Sequence, residues 1–194
     1  MKKGEITRQH ILEKAAPLFN QRGYAGCSMQ DVMVATGLEK GGIYRHFSSK
    51  EELAAEAYRY SLERTVKVRT DHLDSSHGTV EMLLSLVKCF VETRGGIPGG
   101  CPVMNTAIDS DDGNPVLRGL VTETMRDWQK RLGAIVETGI RNGEIRKGTV
   151  PRTIANSMIA MLEGALMISR LEGTRTALDD ARKTLKILIQ SIAA

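Results

Sequence analysis

Lys40, Tyr44, Arg45, His46 and Lys50 crowd one short stretch of this chain, KGGIYRHFSSK, and their chemistry suits a nucleic acid. An arginine guanidinium can fork onto the acceptors of a guanine edge, while a lysine ammonium or a tyrosine hydroxyl can hold a phosphate oxygen. Gly41 and Gly42 lie among them, and a residue without a side chain lets the backbone approach a groove wall. Lys40 and Arg45 are therefore the candidates for base edges, and Gly41 and Gly42 for groove approach. Ser28, Tyr44, His46 and Lys50 are the candidates for the sugar–phosphate backbone. His46 has a second reading, as a satisfied residue of its own helix.

To present these groups together the chain must build a scaffold, and Ser28 to Phe47 reads as helix, glycine turn and helix. Ser28 can cap the first helix, with Asp31 three residues on beside the positive helix end. Val32 and Ala35 face inward. Gly37 supplies the left-handed residue of a tight helix stop, and Leu38 can tuck beneath the turn. The second helix is predicted over Lys40 to Phe47, where Ile43 and Phe47, four apart, anchor one face and leave the polar residues on the other. A helix-turn-helix pattern can also be a mere corner of a helical domain, and the basic neighbours favour the DNA reading.

The same residues carry a resemblance to the TetR family of transcriptional regulators. Phe19, Gly23, Tyr24, Ser28, Val32, Ala35, Gly37, Leu38, Lys40, Gly41, Tyr44, His46, Phe47, Lys50, Glu51 and Leu53 stand in that family's order and spacing. Departures are Met33 for a small residue, Glu39 for Ser, and Gly42 for Thr or Ser, and they bear on base preference. Gly42 also gives up about 1 kcal/mol of helix propensity. The resemblance implies an all-α protein: a helix-turn-helix domain over 1–50 and a helical ligand-binding and dimerisation domain over 51–194. It further implies a repressor released from its operator by a small apolar or amphipathic inducer.

Composition bounds the alternatives. The 194 residues, 41% hydrophobic, suffice for a core without covalent staples. Cys27, Cys89 and Cys101 form no C-x-x-C pair, so neither a disulfide framework nor a zinc site is expected, and no cofactor loop is present. No apolar leader precedes the first helix and no uncharged run reaches membrane-span length, so a soluble cytoplasmic protein is expected. The net charge of +4 is uneven: residues 1–50 hold eight Lys/Arg against four Asp/Glu, and residues 51–194 hold nineteen of each. The cationic excess thus sits on the module expected to meet phosphate, although a solvated basic face would look similar.

The remaining segments read as helices. Thr7 can cap the first, whose Ile11, Leu12, Ala15, Ala16 and Phe19 make an apolar stripe ending at Gly23, with a kink expected at Pro17. Ser49 and Glu52 match a capping box at the start of a long helix reaching about His72, and a change in its tilt would move the DNA-reading face. Asp74 to Gly78 reads as a loop. A helix then carries Val80, Leu83, Leu84, Val87, Phe90 and Val91 inward to a stop at Gly95, followed by the connector GGIPGGCP. CPVMNTAIDSDDGNP resembles a short helix and bend found in one subgroup of the family. Asp109, Asp111 and Asp112 fit no metal loop register and read as solvated acids at a helix end. Helices are predicted over about Pro115–Arg141, Pro151–Leu171 and Thr176–Ile192.

The last two helices are the most uniformly apolar and need a second helix surface to cover them. A two-fold dimer through this pair is expected, with Gly164 allowing close approach. It would set two reading heads about 34 Å or somewhat more apart on a palindromic double-stranded operator. By family resemblance an inducer cavity is expected, with Met82, Leu86, Phe90, Met104, Met125, Trp128, Met158 and Met161 as candidate lining, since methionine adapts to irregular apolar ligands. Core packing accounts for these residues equally well. A thiol switch at Cys27, Cys89 or Cys101 is a second possible mode of release. An enzyme is disfavoured, because no catalytic set of side chains stands out and no catalytic residue is assigned.

Overall fold

Helix-forming patterns dominate the chain, and its structure, a computed structural model, describes residues 2–70, 78–93 and 95–194, among which the regular elements are helices. The expected loop at Asp74–Gly78, apart from Gly78, and the expected helix end near His72 lie outside them. The elements are α1 (Lys3–Gly26), α2 (Met29–Thr36), α3 (Lys40–Tyr44), α4 (Lys50–Thr70), α5 (Thr79–Glu92), α6 (Pro102–Ser110), α7 (Pro115–Asn142), α8 (Pro151–Glu172) and α9 (Thr176–Ser191). An isolated antiparallel bridge joins Ile145 and Ala193.

These elements sort into two compact units, one of residues 1–67 with 95–123 and the other of residues 68–94 with 124–194. Helices α4 and α7 each begin in the first unit and continue into the second. In the first, Ile11, Leu12, Ala15 and Ala16 of α1 pack with Val32, Ile43, Phe47, Leu53 and Ala57. Full burial of an aliphatic or aromatic side chain of this kind contributes about 1.5–3 kcal/mol, so the small motif is anchored by few residues. In the second, α9 packs on α5 and α8. Leu83, Val87, Val136, Met158, Leu185 and Ile189 form the buried centre there.

Local details differ from expectation in two places. Thr7 does not cap α1: the helix starts at Lys3, and the Thr7 hydroxyl donates to the Lys3 carbonyl at 3.1 Å. The helical path runs through Pro17 and is interrupted at Gly23 (φ 74°, ψ 171°), where the sequence places its stop. Helix α3 ends at Tyr44, short of Phe47. Beyond it the His46 and Phe47 amides both donate to the Ile43 carbonyl, at 2.9 and 3.2 Å, so the chain tightens into a turn that still buries Phe47.

Helix α8 is long and apolar enough to cross a membrane by length and composition, and 44% of its apolar window is buried inside the molecule. Part of it thus serves the core of the second unit, through Ile154, Ala155, Met158, Ile159, Leu162 and Ala165.

Candidate nucleic-acid interface

The turn that aims α3 is built by short-range hydrogen bonds. The Asp31 amide donates to Ser28 Oγ at 3.1 Å and the Ser28 amide returns a bond to Asp31 Oδ2 at 2.8 Å, closing a reciprocal cap on α2. The Ser28 hydroxyl also donates to Asp31 Oδ2. At the other end Gly37 takes the left-handed conformation (φ 68°, ψ 18°) and its amide donates to the Met33 carbonyl at 2.9 Å. A β-carbon would be strained there, which is why the turn uses glycine. The Thr36 carbonyl lies 3.0 Å from His10 Nε2, tying the turn to α1.

Ionic partners divide the basic residues into two groups. Arg8 is committed to Glu56 at 3.0 Å and to the Phe47 ring, and Arg22 to Asp31 at 2.9 Å. Among the described residues Lys40, Arg45 and Lys50 have no ion pair. Lys40, Gly41, Tyr44 and Arg45 are exposed, Gly42, His46 and Lys50 are half-buried, and Ser28 is exposed although engaged in its cap. Lys40 Nζ lies 5.7 Å from the Tyr44 ring centroid, and Lys50 Nζ lies 4.2 Å from that of Tyr24. A β-carbon at Gly41 would meet no atom within 4 Å, and one at Gly42 would meet only Leu38 Cβ at 3.6 Å. Nothing inside the protein therefore demands glycine at either position.

Two of the acids nearby, Asp31 and Glu52, serve the scaffold, whereas Glu39 at the start of α3 is exposed and its side chain makes no capping bond. Hydrogen bonds from the Ser28 hydroxyl and amide, with help from Arg22, hold the Asp31 carboxyl below its ordinary range. The Ser48 hydroxyl and amide do the same for Glu52, aided by Arg8. Ser49 Oγ accepts from the Glu52 amide at 3.0 Å, so the expected box forms with Ser48, not Ser49, as the donor to the carboxylate. Cys27 is fully buried, and burial, reinforced by Asp31, pushes its thiol up from its ordinary value. These surroundings work against the thiolate that a thiol switch at Cys27 would need.

This geometry is matched by kinship. The family described as "Bacterial regulatory proteins, tetR family" matches residues 11–57, and the one described as "Tetracyclin repressor-like, C-terminal domain" matches residues 80–185. The chain belongs to the TetR family. It is a helix-turn-helix, DNA-binding transcriptional regulator, and the regulators of this family are not enzymes. A TetR transcriptional regulator from Chloroflexus aurantiacus J-10-FL is 42% identical over 100% of this chain and 98% of its own, with a TM-score of 0.94. A TetR-family regulator from Cytophaga hutchinsonii is 38% identical over 100% and 98%, with a TM-score of 0.91. The HTH-type transcriptional repressor DhaR of Mycobacterium sp. (strain GP1) is 30% identical, over 89% of this chain and 86% of its own.

In the second unit of this TetR-family chain, six of the eight residues suggested as ligand lining belong to one cluster. Phe90 and Met158 are buried in it, with Leu86, Met125, Trp128 and Met161 half-buried against it. The Phe90 and Trp128 rings stack with centroids 6.2 Å apart, and the Arg69 guanidinium lies 3.9 Å from the Phe90 centroid. Met82 stands outside the cluster, and Met104, on α6, falls in the first unit. Arg69 escaped the sequence reading, because a basic residue late in a polar helix carries no periodic signal.

Asp109 also differs from expectation. It is half-buried and accepts from the Tyr24 amide at 2.6 Å, so it is not a freely solvated acid. Asp111 and Asp112 are exposed. Among the described residues no group of three or more His, Cys, Asp or Glu side chains is placed to hold a metal ion.

Proposed function

We propose that this regulator is a cytoplasmic homodimeric repressor that reads a palindromic operator through α3 and is released by a small apolar or amphipathic ligand. The observation that carries the reading is that Lys40, Arg45 and Lys50 form no ion pair among the described residues, while Arg8 and Arg22 are paired with acids of their own unit. Cations left unpaired on a folded surface are available for phosphate and base edges. Lys40 and Arg45 take the base edges, Gly41 and Gly42 face the groove, and Ser28, Tyr44, His46 and Lys50 hold the backbone. Division of roles at residue 50 assigns 1–50 to DNA and 51–194 to ligand and dimer.

Dimerisation through α8 and α9 accounts for the exposure of Met167, Ile168, Leu171 and Ile187 on these helices. A β-carbon at Gly164 would meet nothing within 4 Å, leaving room for a second copy to come close. Within the second unit the Phe90–Trp128 stack and its flanking methionines supply an adaptable apolar surface for ligand. Helix α4 runs from the DNA-reading unit into the ligand unit, so a ligand that favours one tilt of α4 changes operator affinity. The kinship to a repressor supports repression as the outcome.

The test is binding of the purified protein to DNA flanking its own gene, across a salt series and against random DNA of equal length. Specific retention with a steep salt slope is expected. Arg45→Ala should lower affinity for the specific site more than for random DNA. Equal losses on both would remove Arg45 from base recognition.

A further inference from the structure

The first unit holds a polar network that the proposed DNA contacts leave unused. It surrounds the end of α1, where the helical path breaks at Gly23 and turns the following amide outward. That amide, of Tyr24, donates to Asp109 Oδ2 on α6 at 2.6 Å. One turn earlier Asn20, only 7% exposed, donates through Nδ2 to the Pro98 carbonyl at 2.8 Å. Asn105 Nδ2 in turn donates to the Asn20 carbonyl at 2.9 Å, to Asn20 Oδ1 at 3.1 Å and to the Gly99 carbonyl at 2.8 Å. Both sides of the break in α1 are therefore gripped by α6 and the loop before it. The adjoining cavity, lined in part by Asn20, Tyr24, Asn105 and Asp109, measures about 20 Å³. That is room for little more than a water molecule, so the network is a joint and not a ligand pocket.

Two details give the joint a direction. The glycine is obligatory: a β-carbon at Gly23 would stand 2.8 Å from Asp109 Cγ, and the φ of 74° is itself hostile to a side chain. Asp109 and Gly23 thus fit as a pair. Beyond the break, the Tyr24 ring stacks on Phe19 with centroids 6.5 Å apart, and Lys50 Nζ sits 4.2 Å from the Tyr24 centroid. A lysine side chain has four carbons and many rotamers, and an aromatic face beneath the ammonium selects among them.

We propose that Asp109 is a positioning residue for DNA binding: by holding the Tyr24 backbone it sets the ring that presents the Lys50 ammonium to a DNA phosphate. Asp109 is 85 residues from Tyr24 in sequence, and it acts entirely through Tyr24 and Lys50. The inference rests on the assignment of Lys50 to phosphate, so the experiment tests both separately.

Affinity for a fluorescent random-sequence duplex of about 30 base pairs is measured by anisotropy over a salt series for the wild type and the variants Lys50→Ala, Asp109→Ala, Asp109→Asn, Tyr24→Leu and Asp109→Ala/Lys50→Ala. Lys50→Ala should flatten the slope of log affinity against log salt by about 0.9, the loss of one phosphate contact. Asp109→Ala and Tyr24→Leu should each weaken binding several-fold and flatten the slope in the same direction. Asp109→Asn keeps an oxygen acceptor for the Tyr24 amide and should restore most of the wild-type slope. The double variant should bind no more weakly than Lys50→Ala alone, as expected for residues acting through one contact. Full multiplication of the two single losses, or an Asp109→Ala that weakens binding with the slope intact, would reduce Asp109 to a fold-stabilising residue. Tyr24→Leu decides the matter if Asp109→Ala does not fold, since a wild-type slope there refutes the ring's role. A wild-type slope for Lys50→Ala would remove the phosphate assignment, and the proposal with it.

Discussion

Replacing Gly41 by alanine separates what the fold needs from what DNA needs. Gly41 is the second residue of α3, its φ is not positive, and an added β-carbon would touch nothing within 4 Å. The protein alone should therefore gain from the change. Glycine inside a helix costs roughly 0.5–1 kcal/mol relative to alanine, and about half of that is expected so near a helix end. Against DNA the sign reverses if Gly41 lies on the groove. An extra methyl in a closely packed contact costs about 1–3 kcal/mol, or roughly 5- to 150-fold in affinity. Urea unfolding at fixed protein concentration gives the first quantity, since self-association would otherwise shift the transition. Anisotropy on DNA flanking the gene gives the second. A variant that is at least as stable as the wild type and binds markedly less well is expected. Undiminished affinity would refute groove approach at Gly41, and a loss of stability would contradict the open space seen above this residue.

Three further outcomes are expected. Gly23→Ala forces a side chain into a conformation almost reserved for glycine and displaces Asp109, a combined cost of about 2–4 kcal/mol, so thermal unfolding should fall by roughly 5–15 °C, and a shift within 2 °C would contradict the geometry. The carboxyls of Asp31, Glu52 and Glu144 are held below their ordinary values of 3.8, 4.5 and 4.5 by hydrogen bonds, chiefly from Ser28, Ser48 and Thr79 respectively. The unfolded chain then binds more protons in acid, so their contribution is complete above the unfolded values and is lost as pH falls through the lower folded ones. Urea midpoints should decline on acidification below about pH 5, and Asp31→Asn should reduce that decline. Leu171→Asp together with Ile187→Asp, at positions 80% and 67% exposed, should leave helix content intact and yield monomers in light scattering, while persistent dimers would place the interface elsewhere.

The DNA-reading motif was legible because its determinants are local. Ser28 and Asp31 cap α2 across three residues, Gly37 ends it, and Ile43 and Phe47 bury themselves four positions apart. Such rules act within one or two helical turns, so residue type and spacing suffice to read them. The borders of α5, α7, α8 and α9 followed from apolar periodicity for the same reason. The end of α3 did not: Arg45 and His46 are acceptable helix residues, yet the amides of His46 and Phe47 share one carbonyl to bring Phe47 into the core. Thr7 misled because hydroxyl residues bond to a carbonyl within a helix as readily as they cap one.

Sequence alone determined the family, the all-helical class and the helix-turn-helix, and it named candidate residues for DNA. Tertiary structure decided which basic residues are held in ion pairs. Arg8 and Arg22 look as available as Lys40 and Arg45 until Glu56 and Asp31 are seen to hold them. Asp109 looks like one of three loose acids until α6 brings it to the amide of Tyr24, and Tyr24 is only one of the family's ordered positions until Lys50 is found above its ring. These relations join side chains far apart in the chain, and no periodicity encodes them. They arise only when packed helices bring specific polar atoms within hydrogen-bonding distance.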